Sequence, residues 1–545
     1  MGGTEARPTR VAVVGGGITG LSAAYFLTRQ AAACGWPLEC VLFEAASELG
    51  GKVKTLRADL ADPAGDRSAV DGGGVGGGTG EGTLVIEQGP DSLYAFKPEA
   101  IELARELGLQ DSLVGARTGL ATYVWRRGRL RRLPDGLLGL APVRLGPFVR
   151  SDLLSLAGRA RMALEPFVPA RRDGADESVG AFVARRLGRE AVDALADPLL
   201  AGIHAADPWK LSLLATYPQL REQEARHGSL LRAARARQAA ASSGSAGPGH
   251  DGARGEAARP VFWSLRGGLG ELTSALARRL HGRCALRLRC PVESLWPTAP
   301  APGVGPGRGR FALRAQHGHE EFDAVILAVP AWEAARLVRP WAPELAGQLA
   351  EVQYASVAVA AMVFAPGQIP QASVVRRSTG VLVPAAEASA LACGVSACTW
   401  LSTKWPHVSP DGWVIVRAFL GRDASPDPLS AGDAELLAEV RRALRSLAGI
   451  VAEPEHAWVF RWPQAMPQYR VGHLERLARV DALRSRWPGL FVVGAGLRGM
   501  GLSDCVRQAE QAARACLRDL GVTVEEGGFK GERGKTLGEG ENGLP

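Results

Sequence analysis

Six residues near the start of the chain have the types and spacing that bind a dinucleotide. They follow a short β-branched segment, residues 10–14, and precede a helical pattern, residues 21–33. A glycine at the first position of this loop, Gly15, permits a tight turn. A glycine at the third position, Gly17, lets the backbone approach a phosphate, and a glycine at the sixth, Gly20, lets the helix pack closely on the strand. The alternative is a plain strand-to-helix turn without a ligand. The six residues are Gly15, Gly16, Gly17, Ile18, Thr19 and Gly20.

An acidic residue and a second glycine pair extend this pattern. Glu44 ends the next apolar segment, residues 38–43, where its carboxylate can accept hydrogen bonds from ribose hydroxyls. Gly50 and Gly51 are followed by Lys52, which is the glycine and cation sequence that two-dinucleotide-binding flavoproteins place beside the FAD pyrophosphate. The pattern therefore predicts FAD rather than NAD.

These motifs need a parallel sheet to position them. Strand, helix and strand patterns follow one another from residue 10 to residue 43, which predicts an α/β fold with a Rossmann-type FAD-binding domain. Short strands between residues 352 and 417 predict an antiparallel substrate-side sheet. Apolar residues at helical spacing predict a helical lobe, with helices at 98–107, 179–187, 190–199 and 211–221.

The expected domain order follows from these patterns. We expect an FAD-binding domain in three parts, which are 8–96 with a glycine-rich insertion at 58–83, then 261–335, then 481–521. We expect a helical lobe with part of the substrate domain at 97–237, a linker at 238–260, a substrate-binding domain at 336–480 and a disordered tail at 522–545.

Composition narrows the function classes. The chain has 545 residues and a formal net charge of +8, which is too mild and too dispersed for a nucleic-acid-binding protein but suits an acidic small molecule. Its cysteines and histidines lack metal-ligand spacing, and no disulfide framework is indicated. The N-terminus lacks a signal-peptide pattern, and no apolar run approaches about eighteen residues. We therefore expect a cytoplasmic protein without a metal or a membrane span.

Longer segments resemble a known family. Glu87-Gln-Gly-Pro-Asp-Ser-Leu93 with Lys97-Pro98 resembles the porphyrinogen oxidases of the amine-oxidase-like flavoprotein superfamily. The resemblance covers nearly the whole chain apart from the insertions and the tail, and it is closest to the soluble coproporphyrinogen III oxidases of Gram-positive-type bacteria. Membrane-associated protoporphyrinogen IX oxidases commonly have a cation where Asp91 stands. The other matching segments are Asp197-Pro-Leu-Leu-Ala-Gly-Ile-His204, Ser402-Thr-Lys-Trp-Pro-His407, Arg461-Trp-Pro-Gln-Ala-Met-Pro-Gln-Tyr469 and residues 494–509.

The resemblance implies a set of site residues. Lys97 is the first candidate for a cation at the catalytic site, with Lys404 and His407 behind it, although an exposed lysine at a helix start is also common. Val292 could equally be an ordinary strand residue, and Trp462 could belong to the core. The residues expected to contact FAD are Gly15, Gly16, Gly17, Ile18, Thr19, Gly20, Glu44, Ala45, Lys52, Gly89, Pro90, Asp91, Ser92, Val292, Trp462, Met500, Gly501 and Leu502.

The resemblance also implies an activity. It is the oxidation of coproporphyrinogen III to coproporphyrin III by oxygen through FAD, with release of hydrogen peroxide, in haem biosynthesis. A protoporphyrinogen IX oxidase is the alternative, and an amine oxidase, a carotenoid desaturase or a non-catalytic flavoprotein fits less well. The expected partners are the porphyrinogen and oxygen, without nucleic acid. Peripheral membrane contact, transient contact with a downstream haem-pathway enzyme and the oligomeric state stay open.

Overall fold

The computed structural model describes most of the chain. Most of the predicted glycine-rich insertion, the middle of the predicted linker and the tail from residue 524 lie outside the described residues, so the disorder expected for the tail stays a prediction. The described residues are 7–60, 82–135, 137–138, 141–142, 151–242, 260–298, 310–316, 318–391, 394–423 and 427–523.

A five-stranded parallel sheet carries the glycine motifs. The first strand, Thr9–Val14, lies at its centre and pairs with Leu38–Phe43 on one side and Ala324–Leu327 on the other. Its strands are apolar and mostly buried, as expected where both faces of a parallel sheet are covered. The order across the sheet is Cys284–Arg287, Leu38–Phe43, Thr9–Val14, Ala324–Leu327 and Leu490–Val492.

Both faces of this sheet are covered, which is the α/β arrangement that the sequence predicts. One face packs against helices through a core that includes Phe26, Leu276 and Val506, and the other packs through Phe311 and Leu337. The helices on the first face are Ile18–Ala33, Glu99–Glu106, Gly270–Leu280 and Leu502–Asp519. The helix expected at 98–107 in the helical lobe therefore packs instead against the parallel sheet. The elements on the second face are the strands Ser294–Thr298, Arg310–Ala315 and Gly318–Phe322 and the helices Ala331–Val338, Pro343–Ala350 and His473–Arg484.

A seven-stranded sheet forms the second half of the fold. The predicted antiparallel pairing is right except that Ser378–Leu382 runs parallel to Ala121–Arg126. Ala121–Arg126 belongs to a hairpin within the segment 97–237, for which the sequence predicts part of the substrate domain as well as the helical lobe. The order across the sheet is His456–Gln468, Gln353–Phe364, Val414–Leu420, Val395–Trp400, Ser378–Leu382, Ala121–Arg126 and Arg129–Arg132.

The helical lobe differs from the prediction in two helices. The helix expected at 211–221 is interrupted at Pro218, because proline cannot donate the hydrogen bond of a helix interior and instead begins a new helix. The helix expected at 190–199 contains a π-turn, Val192–Ala196, before the next helix begins. The α-helices of the lobe are Leu156–Ala163, Val179–Leu187, Arg189–Ala191, Asp197–His204, Leu213–Thr216, Pro218–His227 and Leu230–Ser242.

Smaller elements join these layers. Among the described residues, no helix combines the length and the apolar character that a bilayer crossing requires. The remaining strands are Thr55–Asp59, Thr83–Glu87, Leu93–Tyr94, Leu113–Gly115, Leu137–Leu138, Ala141–Pro142 and Phe262–Leu265, and the remaining α-helices are Ala385–Ala390, Leu401–Lys404 and Asp433–Ala448.

Candidate flavin-binding site

The first glycine loop is closed by contacts within the protein. Gly15 has a φ of +107°, and a Cβ atom there would lie 2.6 Å from the carbonyl oxygen of Ala328. A Cβ atom at Gly20 would lie 1.8 Å from the carbonyl oxygen of Gly15. The protein itself therefore requires glycine at both positions, one for the turn and one for the approach of helix to strand.

Gly17 has a different environment. Of the described atoms outside its own neighbours, a Cβ atom at Gly17 would come within 4 Å only of Gly51 Cα, at 3.9 Å. The backbones of Gly17 and Gly50 form a parallel bridge, and the Gly50 N–H donates to Gly16 O at 2.8 Å. The two glycine motifs therefore meet, and the fold leaves beside Gly17 the room that a closely approaching phosphate would need.

The helix that begins at this junction fits an anion. Ile18–Ala33 has no acidic residue in its first turn, and its N-cap, Gly17, has no side chain to cap the free N–H groups. The positive end of the helix dipole is therefore not neutralised by an acidic side chain of the helix's own first turn. This open glycine cradle at a helix N-terminus fits the pyrophosphate of a dinucleotide.

Glu44 lies against the same loop. One carboxylate oxygen accepts from the Gly16 N–H at 2.6 Å, and the other accepts from the Ala46 N–H at 2.8 Å. Ala45, between them, is exposed. Val292 lies in a loop rather than a strand, with a side chain that is 5% exposed and belongs to the core.

A second contact region joins the FAD-binding domain to the seven-stranded sheet. A Cβ atom at Gly89 would lie 2.3 Å from the carbonyl oxygen of Lys52 and 3.8 Å from the Trp462 ring. The Trp462 indole N–H donates to Gln88 O at 2.8 Å. The Lys52 ammonium donates to Ala465 O at 2.7 Å, and burial lowers its pKa. Lys52 thus points toward the long strand His456–Gln468, and its contact with a pyrophosphate stays a prediction.

Asp91 lies at the centre of a cluster of charged groups. Both of its carboxylate oxygens are 3.2 Å from the Lys404 ammonium, and one accepts from the Ser92 hydroxyl at 2.8 Å. Arg417 Nη1 lies 3.5 Å from the same carboxylate. Burial would raise the pKa of Asp91, but Lys404 and Arg417 together hold it below its usual value. Lys404, a candidate substrate cation in the sequence, is thus paired with Asp91.

Lys97 bridges the N-terminal loop and the last helix. Its ammonium lies 2.9 and 2.7 Å from the two carboxylate oxygens of Asp504, while half of its side-chain surface stays exposed. Asp504 is in the first turn of the helix Leu502–Asp519. This helix begins directly after Met500 and Gly501. The structure therefore brings the predicted cation beside the predicted C-terminal flavin motif.

Sequence reasoning missed Arg417 and a histidine–tyrosine pair. His204 Nε2 lies 3.1 Å from the hydroxyl oxygen of Tyr217, and burial followed by the charge of Lys97 lowers the His204 pKa to about 4. Arg417 could have been noticed, because arginine is rarely buried and stands here inside the apolar strand Val414–Leu420. His407, named as a candidate cation, is partly buried, and burial lowers its pKa.

The fold and these contacts define a flavoprotein built around one dinucleotide site and an adjoining substrate-side sheet. A family model described as flavin containing amine oxidoreductase matches residues 18–517. The chain therefore belongs to this family. Relatives named coproporphyrinogen III oxidase, 30% and 35% identical over nearly the whole chain, place it in the porphyrinogen oxidase group of the family. It is an enzyme with FAD as its cofactor.

Individual relatives agree over nearly the whole length. The chain is 35% identical to a coproporphyrinogen III oxidase of Propionibacterium freudenreichii, over 94% of this chain and 91% of that protein. It is 30% identical to the coproporphyrinogen III oxidase of Bacillus subtilis, over 94% of this chain and 98% of that protein. A crystal structure described as a putative protoporphyrinogen oxidase from Exiguobacterium sp. 255-15 superposes with a TM-score of 0.75 at 29% identity, over 94% and 99% of the two chains.

Proposed function

We propose that this enzyme oxidises coproporphyrinogen III to coproporphyrin III with oxygen and releases hydrogen peroxide, as a step of haem biosynthesis. The observation that carries the proposal is the near-full-length similarity to proteins named coproporphyrinogen III oxidase. The name of the Exiguobacterium structure supports protoporphyrinogen IX as the second candidate substrate.

The glycine cradle supports the placement of FAD. When bound, FAD would accept hydride equivalents from the porphyrinogen and pass them to oxygen. The chain would bind the pyrophosphate through backbone N–H groups and the ribose through the Glu44 carboxylate. The residues proposed to hold FAD are Gly15, Gly16, Gly17, Ile18, Thr19, Gly20, Glu44, Ala45, Lys52, Gly89, Pro90, Asp91, Ser92, Val292, Trp462, Met500, Gly501 and Leu502.

Lys97 is the residue proposed to bind a substrate carboxylate. Lys97 pairs with Asp504, but half of its side-chain surface stays exposed. Arg507 also lies 2.5 Å from Asp504 and 3.4 Å from Glu99, so the four charges balance. The exposed Lys97 ammonium could therefore turn to a substrate carboxylate while Arg507 keeps Asp504 paired. Porphyrinogens carry propionate side chains, and coproporphyrinogen carries more of them than protoporphyrinogen, so a cation here favours the more anionic substrate.

The remaining expectations form part of the same proposal. We place the FAD-binding domain at 8–96, 261–335 and 481–521, since strands from all three stretches pair in one parallel sheet. We also propose a cytoplasmic location, which the cysteine spacing supports because it indicates no disulfide framework. Oxygen is the proposed acceptor.

The test is turnover in air. Purified protein loaded with FAD is mixed with coproporphyrinogen III, and porphyrin fluorescence and hydrogen peroxide are followed together. The matched control is G17A, which should fold but bind FAD poorly. Porphyrin and peroxide that form with the wild-type protein and fail to form with G17A support the proposal. Failure of the FAD-loaded wild-type protein to accelerate porphyrin formation over a protein-free blank would refute it.

A further inference from the structure

Arg417 is a cation with no exposed surface in the middle of an apolar strand. Its side chain is 0% exposed, and one terminal nitrogen, Nη2, donates to Gly89 O at 2.6 Å. Its Nε and Nη1 atoms have no hydrogen-bond partner among the described residues. Burying an arginine this deeply costs folding free energy that an apolar residue in the same strand would not cost, which indicates a role beyond packing.

Three charged or ionisable side chains surround Arg417. Asp91 is 3.5 Å away, and Lys404 contacts the same carboxylate from another element. Glu87 also lies within electrostatic range of both Arg417 and Asp91, and burial raises the Glu87 pKa to about 7. Below about pH 7 the group therefore has two cations and one ionised carboxylate.

We propose that Arg417 is a positioning residue of the porphyrinogen site, which fixes the Gly89 carbonyl and the Asp91 carboxylate so that Asp91 accepts hydrogen bonds from pyrrole N–H groups. This inference rests on the proposed function. It extends that function from the propionates at the rim of the substrate to the nitrogen atoms at its centre. Asp91 thus has two proposed contacts, with FAD as part of the segment Gly89–Ser92 and with the pyrrole N–H groups through its carboxylate.

The chemistry of the cluster supports this role. A porphyrinogen carries an N–H donor on each pyrrole ring, and an ionised carboxylate is the strongest side-chain acceptor for such donors. Asp91 keeps 15% of its side-chain surface open, whereas Arg417 is closed off completely. Arg417 can therefore act only through its neighbours. Lys404, at 12% exposure, already contacts both Asp91 oxygens and the Ser92 hydroxyl, so it too is engaged within the cluster.

The kinetic test uses R417M with R417K as the conservative variant. Without Arg417, burial should raise the pKa of Asp91, so the acid limb of the pH profile of kcat/KM should move to higher pH. KM should rise by about tenfold or more, with a smaller change in kcat. R417K keeps the charge and should restore the acid limb in part. The matched control is R422M, which removes a second nearly buried arginine just after the same strand, and it should leave the acid limb unmoved.

A second readout does not depend on turnover. Unfolding midpoints are measured for wild type, R417M, D91N and the double variant, at pH values from 5 to 8. If Arg417 acts through Asp91, the double variant loses less stability than the sum of the single variants, whereas R422M combines additively with D91N.

The outcomes separate the two claims. Additive losses in the cycle, together with an unmoved acid limb in R417M, would overturn the inference and leave Arg417 as core packing. If R417M does not fold, R417Q, which also removes the charge, takes its place in the same cycle. If the wild-type protein oxidises no porphyrinogen, the proposed function fails and the pyrrole contact fails with it, while the unfolding cycle still decides whether Arg417 positions Asp91.

Discussion

The N–H of Gly499 donates a hydrogen bond to the phenol oxygen of Tyr469 at 2.9 Å. The same phenol donates to Ala495 O at 2.5 Å, and the Tyr469 ring stacks on His473 with 4.0 Å between ring centroids. Tyr469 directly follows the strand His456–Gln468, so the substrate-side sheet holds the loop that leads to Met500.

Removal of this phenol should loosen the loop. Y469F leaves the Gly499 N–H and the Ala495 carbonyl without a partner, which should lower the free energy of unfolding by about 1–3 kcal/mol. FAD should also dissociate faster, as measured by flavin fluorescence after dilution. The control is Y25F, which removes a phenol hydrogen bond to Glu106, outside the loop that leads to Met500. Equal FAD retention in the two variants would contradict this account.

Two glycines of the first loop should have different roles, since Gly20 should be needed for folding and Gly17 for FAD binding. G20A places a Cβ atom 1.8 Å from the Gly15 carbonyl oxygen and should prevent folding or lower the melting temperature strongly. G17A meets only an ordinary contact, at 3.9 Å, and should keep the apoprotein's melting temperature while FAD binding falls. Circular dichroism and FAD titration check both. Normal FAD affinity in a folded G17A variant would place the pyrophosphate elsewhere.

Lys97 should affect substrate binding more than the chemical step. Because the Lys97 side chain is half exposed and Arg507 can keep Asp504 paired, K97M should raise KM for coproporphyrinogen III by about tenfold and change kcat less. K210M is the control, since Lys210 is a partly exposed lysine paired with Asp423. Steady-state kinetics decide. An unchanged KM in K97M would show that Lys97 only holds Asp504.

Glu87 should make stability depend on pH. Burial raises its folded-state pKa to about 7, above the unfolded value, so its contribution is fully present at low pH and is lost as the pH rises through 7. E87Q cannot ionise but can still accept from the Leu269 N–H. The unfolding midpoint of E87Q should therefore rise relative to that of the wild-type protein as the pH increases from 5 to 8. The control is E333Q, near the surface, whose unfolding midpoint should change with pH as that of wild type does. The same pH dependence in E87Q and wild type would contradict the raised pKa of Glu87.

The sequence predicted the parts of the site that depend on local pattern. The strand Leu38–Phe43 has the predicted bounds, and Glu44 lies against the first glycine loop as its place at the end of that strand implies. The helix begins at Ile18, earlier than expected, because a first helical turn tolerates threonine and glycine where its N–H groups are unpaired anyway.

The ion pairs could not be predicted in the same way. Arg417 contacts Gly89 across 328 residues, and Lys97 contacts Asp504 across 407 residues. No local pattern encodes such a pairing, because it depends on how the sheets pack. The sequence therefore indicated Lys404 as a cation near the substrate but not that Asp91 would neutralise it.

The central claim is tested most directly by competition. FAD-loaded protein receives equal concentrations of coproporphyrinogen III and protoporphyrinogen IX in air, and the two porphyrins are separated and measured over the first turnovers. We predict that coproporphyrin III forms faster and that K97M narrows the difference. Faster formation of protoporphyrin IX would contradict the proposed substrate, and no porphyrin above the protein-free rate would contradict the proposed reaction.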